Sequence, residues 1–247
     1  MTIGLRDDSA DAPLSAVRGS RHYRRAQQDR GAETRQRLLL AALDAFGRYG
    51  FDGTSTREIA RRADANLAAI VYHFGSKEAL HLAVAEYVVA QMRAKKGDLL
   101  IEIDARLDAG DVDKATVRRL LQRVVDAQVE TMLGDREVDL WGRFLMREQM
   151  EPSPVFDVTF TYMMQGHRTM RRLIALLLDQ REDDPAVAVR VFTLLGQVVM
   201  FCVAQPMVMR SLGKQEFGMS DRELIKRIAT ENIDRIGGVP LVGDAAG

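Results

Sequence analysis

The stretch from Thr54 to Glu78 constrains the fold more than any other part of the chain. It predicts two short helices joined by a tight turn, followed by the first turn of a third helix. Ser55 and Glu58 have the spacing of a capping box, in which each side chain binds an unpaired backbone amide at a helix start. Asn66 is a suitable N-cap for the second helix, and Gly75 is suited to end it. Two short helices at a sharp angle form a helix-turn-helix unit, whose second helix fits the major groove of DNA.

That shape alone leaves two interpretations open, because helical corners of this kind also occur in domains that never touch DNA. If the unit reads DNA, the side chains of its second helix that point away from Ile59 and Phe74 face the groove: Asn66, Ala69, Tyr72 and His73. Ala68 and Ala69 would touch a thymine methyl group or permit close approach. Phosphate contacts that fix the register are expected from Thr56, Tyr72, His73 and Lys77.

Basic side chains near the unit add to the DNA-reading interpretation. Arg57, in the first turn of the first short helix, is expected to meet a phosphate or a base edge. Arg35 lies in the first turn of a preceding helix, Glu33 to Tyr49, where it can meet a phosphate. Arg61 and Arg62 are interpreted as solvated. The chain has 35 basic and 35 acidic residues, so DNA binding must come from a local patch and not from net charge.

Around this unit the chain resembles the N-terminal domain of TetR-family transcriptional regulators, over about Glu33 to Leu82. The resemblance is carried by residues in ordered spacing: Phe46, Gly50, Phe51, Thr54-Ser55, Ile59-Ala60, Tyr72-His73-Phe74 and Ser76-Lys77-Glu78-Ala79-Leu80. The run from Asn66 to Lys77 is most similar to the CecR-type branch. Val71 departs from the pattern, since many relatives have a polar or aromatic side chain there, which puts a DNA contact at this position in doubt.

The resemblance implies a homodimeric repressor that binds a double-stranded DNA operator and is released by a small ligand. Positions that commonly contact the operator in this family are occupied by Ser55, Thr56, Tyr72, His73 and Lys77. From the residues alone, a helical small-molecule-binding or interaction protein that does not read DNA stays open as an alternative, and balanced overall charge is its main support.

Composition and periodicity predict an all-α fold, with an N-terminal three-helix helix-turn-helix domain and a C-terminal helical bundle. Prolines are few, at 6 in 247 residues, and alternating segments are almost absent. Five segments are predicted along the chain: a disordered basic arm at 1–30, the helix-turn-helix domain at 31–80, a connecting helix at 81–96, a ligand-binding and dimerisation domain at 97–237, and a loose tail at 238–247. The arm either follows DNA phosphates or is a solvated tail, and the second interpretation is the simpler one.

The helix signals of the second domain are clear. The connecting helix is expected to end at Gly97, and later helices are expected over Lys114 to Leu133, Glu137 to Met150, Pro154 to Leu178, Pro185 to Leu212 with a kink or end near Pro206, and Asp221 to Ile236 behind a Ser220–Glu223 capping box. Dimerisation is expected through the last two helices, paired as a four-helix bundle. The side chains proposed for that interface are Leu194, Val198, Leu224 and Ile228.

Aromatic and methionine side chains in the second domain have two interpretations. They form an ordinary core, or they line a mostly apolar cavity for a small apolar ligand. The candidate pocket residues come from several helices: Trp141, Phe144, Met163, Met164, His167, Met170, Met200 and Phe201. Methionine adapts to varied shapes, so a broad ligand preference would be reasonable.

No catalytic, metal or cofactor site is expected, so the chain is not predicted to be an enzyme. Cys202, if it lay near His167 in space, could form a nucleophile and base with it, but Cys202 lies in an apolar run, which a buried inert cysteine fits better. A single cysteine excludes intramolecular disulfides and fits a cytoplasmic location. The most apolar stretch, Val187 to Met209, is interrupted by polar residues, glycine and proline, which favours a buried or interface helix over a membrane span.

Overall fold

The all-α prediction is confirmed in the computed structural model, which describes residues 14–110, 112–133 and 136–236, with side chains over 29–110, 112–133 and 138–236. Ten α-helices account for nearly all of this described part, and it contains no strand. The helices are α1 Leu14–Tyr49, α2 Thr56–Arg62, α3 Leu67–Phe74, α4 Lys77–Asp108, α5 Lys114–Leu133, α6 Arg136–Met150, α7 Phe156–Leu178, α8 Pro185–Val203, α9 Gln205–Leu212 and α10 Met219–Arg235.

Two hydrophobic cores divide the helices. The N-terminal core joins α1, α2, α3 and the first half of α4, and it also takes in α6. The C-terminal core joins the second half of α4 with α5, α7, α8 and α10. The α1–α6 contact is close, since a Cβ placed on Gly47 would lie 3.1 Å from the backbone nitrogen of Phe144. The helix-turn-helix unit therefore rests directly on a helix of the second domain.

Helix α1 begins at Leu14 and not near Glu33. Residues 14–30, which were expected to be disordered, thus continue the first helix, whereas residues 1–13 lie outside the described part of the chain. The segment lacks proline, and 5 of its 17 residues are arginine, which favours a helix. The tail at 238–247 also lies outside the described residues.

Helix α4 runs unbroken through Gly97, where the sequence predicted its end. A glycine inside a helix costs about 1 kcal/mol relative to alanine. Beyond it, however, Ile103 and Leu107 are buried in the C-terminal core, and each buried aliphatic side chain contributes about 1.5–3 kcal/mol. Packing therefore outweighs the local preference, and a single helix of 32 residues connects the two cores.

The last helices follow the predicted pattern with two differences. Pro206 separates α8 from α9 as expected, with the break at Ala204. Helix α10, however, begins at Met219, and its cap is formed by the Gly218 amide, which donates to Asp221 Oδ2 at 2.9 Å. Glu223 binds Lys226 at 2.7 Å instead of forming the predicted box with Ser220.

Helix α8 is apolar along most of its length. Among the described helices it is the one whose length and composition would allow it to cross a membrane, with a mean hydropathy of 2.1. In the structure one face of α8 packs on the C-terminal core through Val187, Val191, Leu194 and Val198. Its other face remains uncovered within the protomer.

Candidate DNA-binding surface and effector site

The start of α2 is held by the Ser55 hydroxyl, which accepts from the Glu58 amide at 3.2 Å, so this half of the predicted capping box is present. The Glu58 carboxylate turns toward the end of α2. Its hydrogen bonds from Arg61, and then from Arg62, lower the pKa of Glu58 to about 2. Arg62 also binds Asp44 at 2.7 Å and Tyr49 at 3.1 Å. Arg62 therefore links α2 to α1 through hydrogen bonds, and it is not simply a solvated side chain.

The caps of α3 are those that the sequence predicts. Asn66 Oδ1 accepts from the Ala68 amide at 2.9 Å. Gly75 ends the helix with φ of +86°, a conformation that side chains other than glycine rarely adopt. Ser76 Oγ then accepts from the Ala79 amide at 3.1 Å and starts α4. These three short-range features fix both ends of α3 and therefore its orientation relative to the neighbouring helices.

The exposed row of α3 differs from the predicted one. Tyr72 is 84% exposed and Val71 is 65% exposed, and Ala68 is exposed beside them. Ala69, which was expected to face the groove, packs against the N-terminal core, and His73 is half-buried with its ring edge-on to that of Tyr72, the centroids 4.9 Å apart. The phase of the helix follows from Ile70, which is fully buried, so residues one and two positions after it face outward.

Leu67 and Val71 were thus missed as surface residues of α3. Both are large apolar side chains left in solvent, at 41% and 65% exposure. The signal for Val71 lay in its position one residue after Ile70, since a one-residue step turns the chain by about 100°. Leu67 is three residues before Ile70, so the helical period alone would not have predicted its exposure. Apolar side chains at these positions suit the thymine methyl group in a major groove.

Cationic side chains flank α3 and are held there by aromatic rings. The Arg35 guanidinium lies over the Phe74 ring at 4.8 Å, and Lys77 Nζ lies over the Phe51 ring at 4.3 Å. Arg57 is exposed on the first turn of α2, whereas Thr56 beside it is half-buried. These cations and the Ser55 cap belong to the same helix-turn-helix unit as the exposed residues Val71 and Tyr72 of α3.

A buried polar pair lies beneath this surface, where α4 meets α6. His81 Nε2 is 3.4 Å from Glu148 Oε1, and both side chains are almost fully buried. The His81 ring is enclosed by the rings of Phe46, Phe51 and Phe144 at 4.5–5.6 Å. Burial by itself would raise the pKa of Glu148, but the adjacent His81 ring and the hydrogen bonds from Ser153 outweigh it and lower that pKa. No local pattern in the sequence indicates this pair, because its members lie on helices that are far apart in the chain.

The predicted ligand pocket is not assembled as proposed. Trp141 and Phe144 are buried in the N-terminal core against α1, and Met163 packs on its edge. Met170 is a fully buried residue of the C-terminal core. Met200 is exposed, and Phe201 packs on Phe217 with ring centroids 6.0 Å apart. Trp141, Phe144 and Met170 are therefore core residues and not pocket residues. Trp141 and Phe144 belong to the N-terminal core, and Met170 belongs to the C-terminal core.

Met164 and His167 do line a cavity, which lies between α7 and α8 and has a volume of about 430 Å³. Its walls combine apolar and charged side chains: Met164, Ala188, Val191 and Phe192, with His167, Arg168, Arg171, Glu182 and Asp183. The centroids of the His167 and Phe192 rings are 4.9 Å apart. The volume lies within the range of about 300–1,000 Å³ that is usual for small-molecule sites.

Lys96 is a polar residue of this region that sequence reasoning missed. Its side chain enters the junction of α4, α5 and α7, where Nζ donates to Gln128 Oε1 at 2.5 Å. Burial lowers the pKa of Lys96 to about 8. Burial, followed by the charge of Lys96, also lowers the pKa of His167 on α7. The signal was present in the sequence, because Lys96 continues the four-residue spacing of Val84, Val88 and Met92, which are buried on one face of α4.

The residues proposed for dimerisation divide into two groups. Leu194 and Val198 are buried in their own protomer, so they cannot meet a partner directly. Leu224 and Ile228 on α10 are exposed, as an interface would need. The uncovered face of α8 carries other apolar side chains, all more than half exposed: Val189, Phe192, Met200 and Val203. An interface through α8 and α10 stays a prediction, and on α8 it requires the face opposite to the one first expected.

An all-α chain that presents a capped, exposed helix on a helix-turn-helix unit, flanked by cations, has the form of a DNA-binding regulator. The sequence model of bacterial regulatory proteins of the tetR family matches residues 38–84. The model described as HTH-type transcriptional dual regulator CecR, C-terminal domain, matches residues 117–238. The two matches cover the helix-turn-helix unit and most of the second domain.

Individual relatives agree with these matches. The chain is 30% identical to the HTH-type transcriptional dual regulator CecR of Shigella flexneri over 208 residues, which is 84% of this chain and 92% of that protein. It is 37% identical over 105 residues to the HTH-type transcriptional repressor NicS of Pseudomonas putida, covering 42% of this chain and 45% of NicS. The crystal structure of the TetR-family regulator PfmR from Thermus thermophilus has the same fold, with a TM-score of 0.54, 19% identity, and coverage of 81% of this chain and 93% of that one.

The chain therefore belongs to the TetR family, with a C-terminal domain of the CecR type. It is a DNA-binding transcriptional regulator and not an enzyme.

Proposed function

We propose that the protein is a homodimeric, ligand-responsive regulator that acts in the cytoplasm and represses transcription from a palindromic operator until a small effector releases it. The observation that carries this proposal is the exposure of Tyr72 and Val71 on α3, with Arg35 lying over the Phe74 ring at the end of the same helix. Arg57 on α2 and Lys77 at the start of α4 add cations to the same helix-turn-helix unit. The proposal also assigns operator contacts to other residues of the same unit: Ser55, Thr56, Asn66, Ala68 and His73.

In this proposal the chemistry of each side chain decides whether it contacts a phosphate or a base. Arg57, Lys77 and Arg35 bind phosphates and set the position of α3 in the major groove. Val71 and Ala68 contact thymine methyl groups, and Tyr72 binds phosphate through its hydroxyl. Because each phosphate contact displaces counterions, binding weakens steeply with salt.

A homodimer is supported by the uncovered apolar face of α8 and α10. Val189, Phe192 and Met200 on α8 adjoin a helix that exposes Leu224 and Ile228. Exposed Gly196 lies in the middle of the α8 row, with no atom near its missing Cβ, so a partner helix can approach closely there. Two copies joined on this face would present two α3 helices to half-sites one turn of DNA apart, about 34–36 Å.

Effector response is supported by the cavity of about 430 Å³ between α7 and α8 and by the continuity of α4. Helix α4 begins beside α3 and ends in the C-terminal core, so a change in its position at one end moves the other. Release needs only that the effector bind more tightly to a dimer whose α3 spacing does not fit the operator. A coupling free energy of about 1–3 kcal/mol changes operator affinity about 5–150-fold.

The test is binding of the purified protein to labelled DNA that flanks its own gene, at several salt concentrations and with random DNA as competitor. Arg57→Ala is the test variant, and Arg119→Ala, on α5 in the second domain, is its matched control. We expect competitor-resistant binding whose salt slope falls by about 1 in Arg57→Ala and is unchanged in the control. If the flanking DNA binds no better than random DNA, and a selection from a random DNA library yields no preferred sequence, operator reading by α3 is refuted.

A further inference from the structure

Lys96 differs from several other cations of the second domain in its partner. Neighbouring cations meet carboxylates: Arg123 binds Glu102 at 2.7 Å, Arg172 binds Asp104 at 2.9 Å, and Lys226 binds Glu130 at 2.5 Å. Within the described part of the chain, no carboxylate lies within ion-pair distance of Lys96 Nζ. Its hydrogen-bond partner is the neutral amide oxygen of Gln128.

The surroundings of Lys96 keep that charge uncompensated. The Gln128 amide directs its oxygen toward Nζ and its nitrogen toward Met132 Sδ, 2.8 Å away. An ammonium has three donors, and an amide oxygen satisfies one of them. A charge taken out of water without a counter-charge is costly. A methionine would fill the same space at lower cost, so the lysine fits a role in binding better than a role in packing.

His167 connects Lys96 with the cavity between α7 and α8. It lines that cavity beside Phe192, and it lies near enough to Lys96 to feel its charge. As a neutral imidazole it has one N–H to donate. The two carboxylates of the cavity wall have other partners, since Asp183 binds Arg181 at 2.7 Å and Glu182 lies 3.9 Å from Arg172.

We propose that the effector is an amphipathic organic anion, whose apolar body lies against Met164, Val191 and Phe192 and whose acidic group reaches past His167 to the ammonium of Lys96. This inference rests on the proposed effector response, and it narrows the effector from any small apolar molecule to one with an ionised acidic group. A carboxylate and a sulfonate satisfy the same geometry.

Two fluorescent probes with nearly the same body test the charge requirement. 1-Anilinonaphthalene-8-sulfonate is an anion, and N-phenyl-1-naphthylamine is its neutral counterpart. Each is titrated into the full-length wild type, Lys96→Met and Lys95→Met at pH 7. Lys95 is the exposed neighbour on the same helix, so it controls for overall charge. Hydrogen bonds to charged groups support an anion preference of about tenfold or more. We expect that preference in wild type and Lys95→Met, and its loss in Lys96→Met through weaker sulfonate binding.

A second measurement uses the wild type alone. The groups that face Lys96 are Gln128 from α5, which does not titrate, and His167 from α7, whose lowered pKa keeps it neutral from pH 7 upward. The sulfonate affinity should therefore fall between pH 7 and pH 9, as Lys96 loses its proton, while that of the neutral probe stays level. Equal sulfonate affinity in wild type and Lys96→Met, or a flat pH profile, would overturn the inference.

Operator binding of every variant is measured in the same preparations without a probe. Intact binding in Lys96→Met shows that the variant is folded, so a probe result against the inference then leaves the regulator proposal standing. A wild type that prefers no DNA sequence refutes the regulator proposal, whichever probe it binds.

Discussion

Replacing Lys96 by methionine is expected to stabilise the fold, although it removes the proposed effector contact. The side chain loses its charge and keeps nearly its length, so the space among α4, α5 and α7 stays filled. Replacement of buried charges by apolar residues of similar volume is often neutral or stabilising. A stabilising effect would mean that the lysine is retained for something other than folding.

The magnitude follows from the pKa. Burial lowers the pKa of Lys96 from an ordinary 10.5 to about 8, and at about 1.36 kcal/mol per pKa unit the charged form costs about 3 kcal/mol at pH 7. Loss of the donor to Gln128 Oε1 costs about 1 kcal/mol in return. We therefore expect Lys96→Met to raise the free energy of unfolding by about 2 kcal/mol at pH 7.

The pH dependence gives the sharper test. Between the folded pKa of about 8 and the ordinary value of 10.5, the unfolded chain binds more protons at Lys96 than the folded chain does. The wild type therefore gains stability as the pH rises through this window. At about pH 9.5 the cost of the lysine falls to about 1.4 kcal/mol, so the advantage of Lys96→Met shrinks to nearly zero.

The assay is urea unfolding followed by circular dichroism, at one protein concentration and at the same two pH values. Lys95→Met is the control, and its stability relative to wild type should not change with pH in this way. A Lys96→Met variant that is less stable than wild type at pH 7, or whose advantage does not depend on pH, would refute the argument that an uncompensated charge is buried there.

Three further variants test other parts of the structure. Glu148→Gln should lower the free energy of unfolding by about 2 kcal/mol at pH 7. Because the folded pKa of Glu148 lies below its ordinary 4.5, this difference should fade as the pH drops below that value, and a constant difference would argue against an ionised Glu148 in this buried contact. Asn66→Ala should cost about 1 kcal/mol in urea unfolding by removing the α3 cap, and no change would mean that the cap is dispensable. Phe192→Glu should convert dimers to monomers in sedimentation experiments, whereas Ile101→Glu, at an exposed position of α4, should not; equal behaviour of the two would place the interface elsewhere.

Local signals in the sequence were sufficient for the helix-turn-helix unit. Asn66, Gly75 and Ser76 act on amides within a few residues of themselves, so their roles can be predicted without knowledge of the tertiary structure. The break before Pro206 is predictable for the same reason. The fold class and the helix-turn-helix boundaries follow from such short-range physics.

Positions set by long-range packing could not be predicted in this way. Trp141 and Phe144 are aromatic residues on an amphipathic helix, and nothing local distinguishes a pocket wall from a core that faces α1. Helix α8 is apolar on nearly all sides, so its periodicity does not show which face is buried, and Leu194 and Val198 were expected on the outer face. The burial of Lys96 is an intermediate case, since its spacing from Met92 indicated the inward face while its charge suggested the surface.

The continuity of α4 gives the proposed response a physical route. One helix carries Lys77 at the rim of the DNA-binding surface, His81 in the buried contact with α6, and Lys96 at the proposed effector site. At a rise of about 1.5 Å per residue, Lys77 and Lys96 are about 28 Å apart on a single element. His81 is fixed by three aromatic rings and Glu148, so the first turns of α4 move with the N-terminal core as one body. An anion that draws Lys96 and His167 together would change how α4 packs on α7, and the resulting tilt would be carried to α3. Lys77, His81 and Lys96 all precede Gly97, so the part of α4 that carries the tilt contains no glycine, and the continuation of the helix beyond Gly97 anchors the same element in the C-terminal core through Ile103 and Leu107.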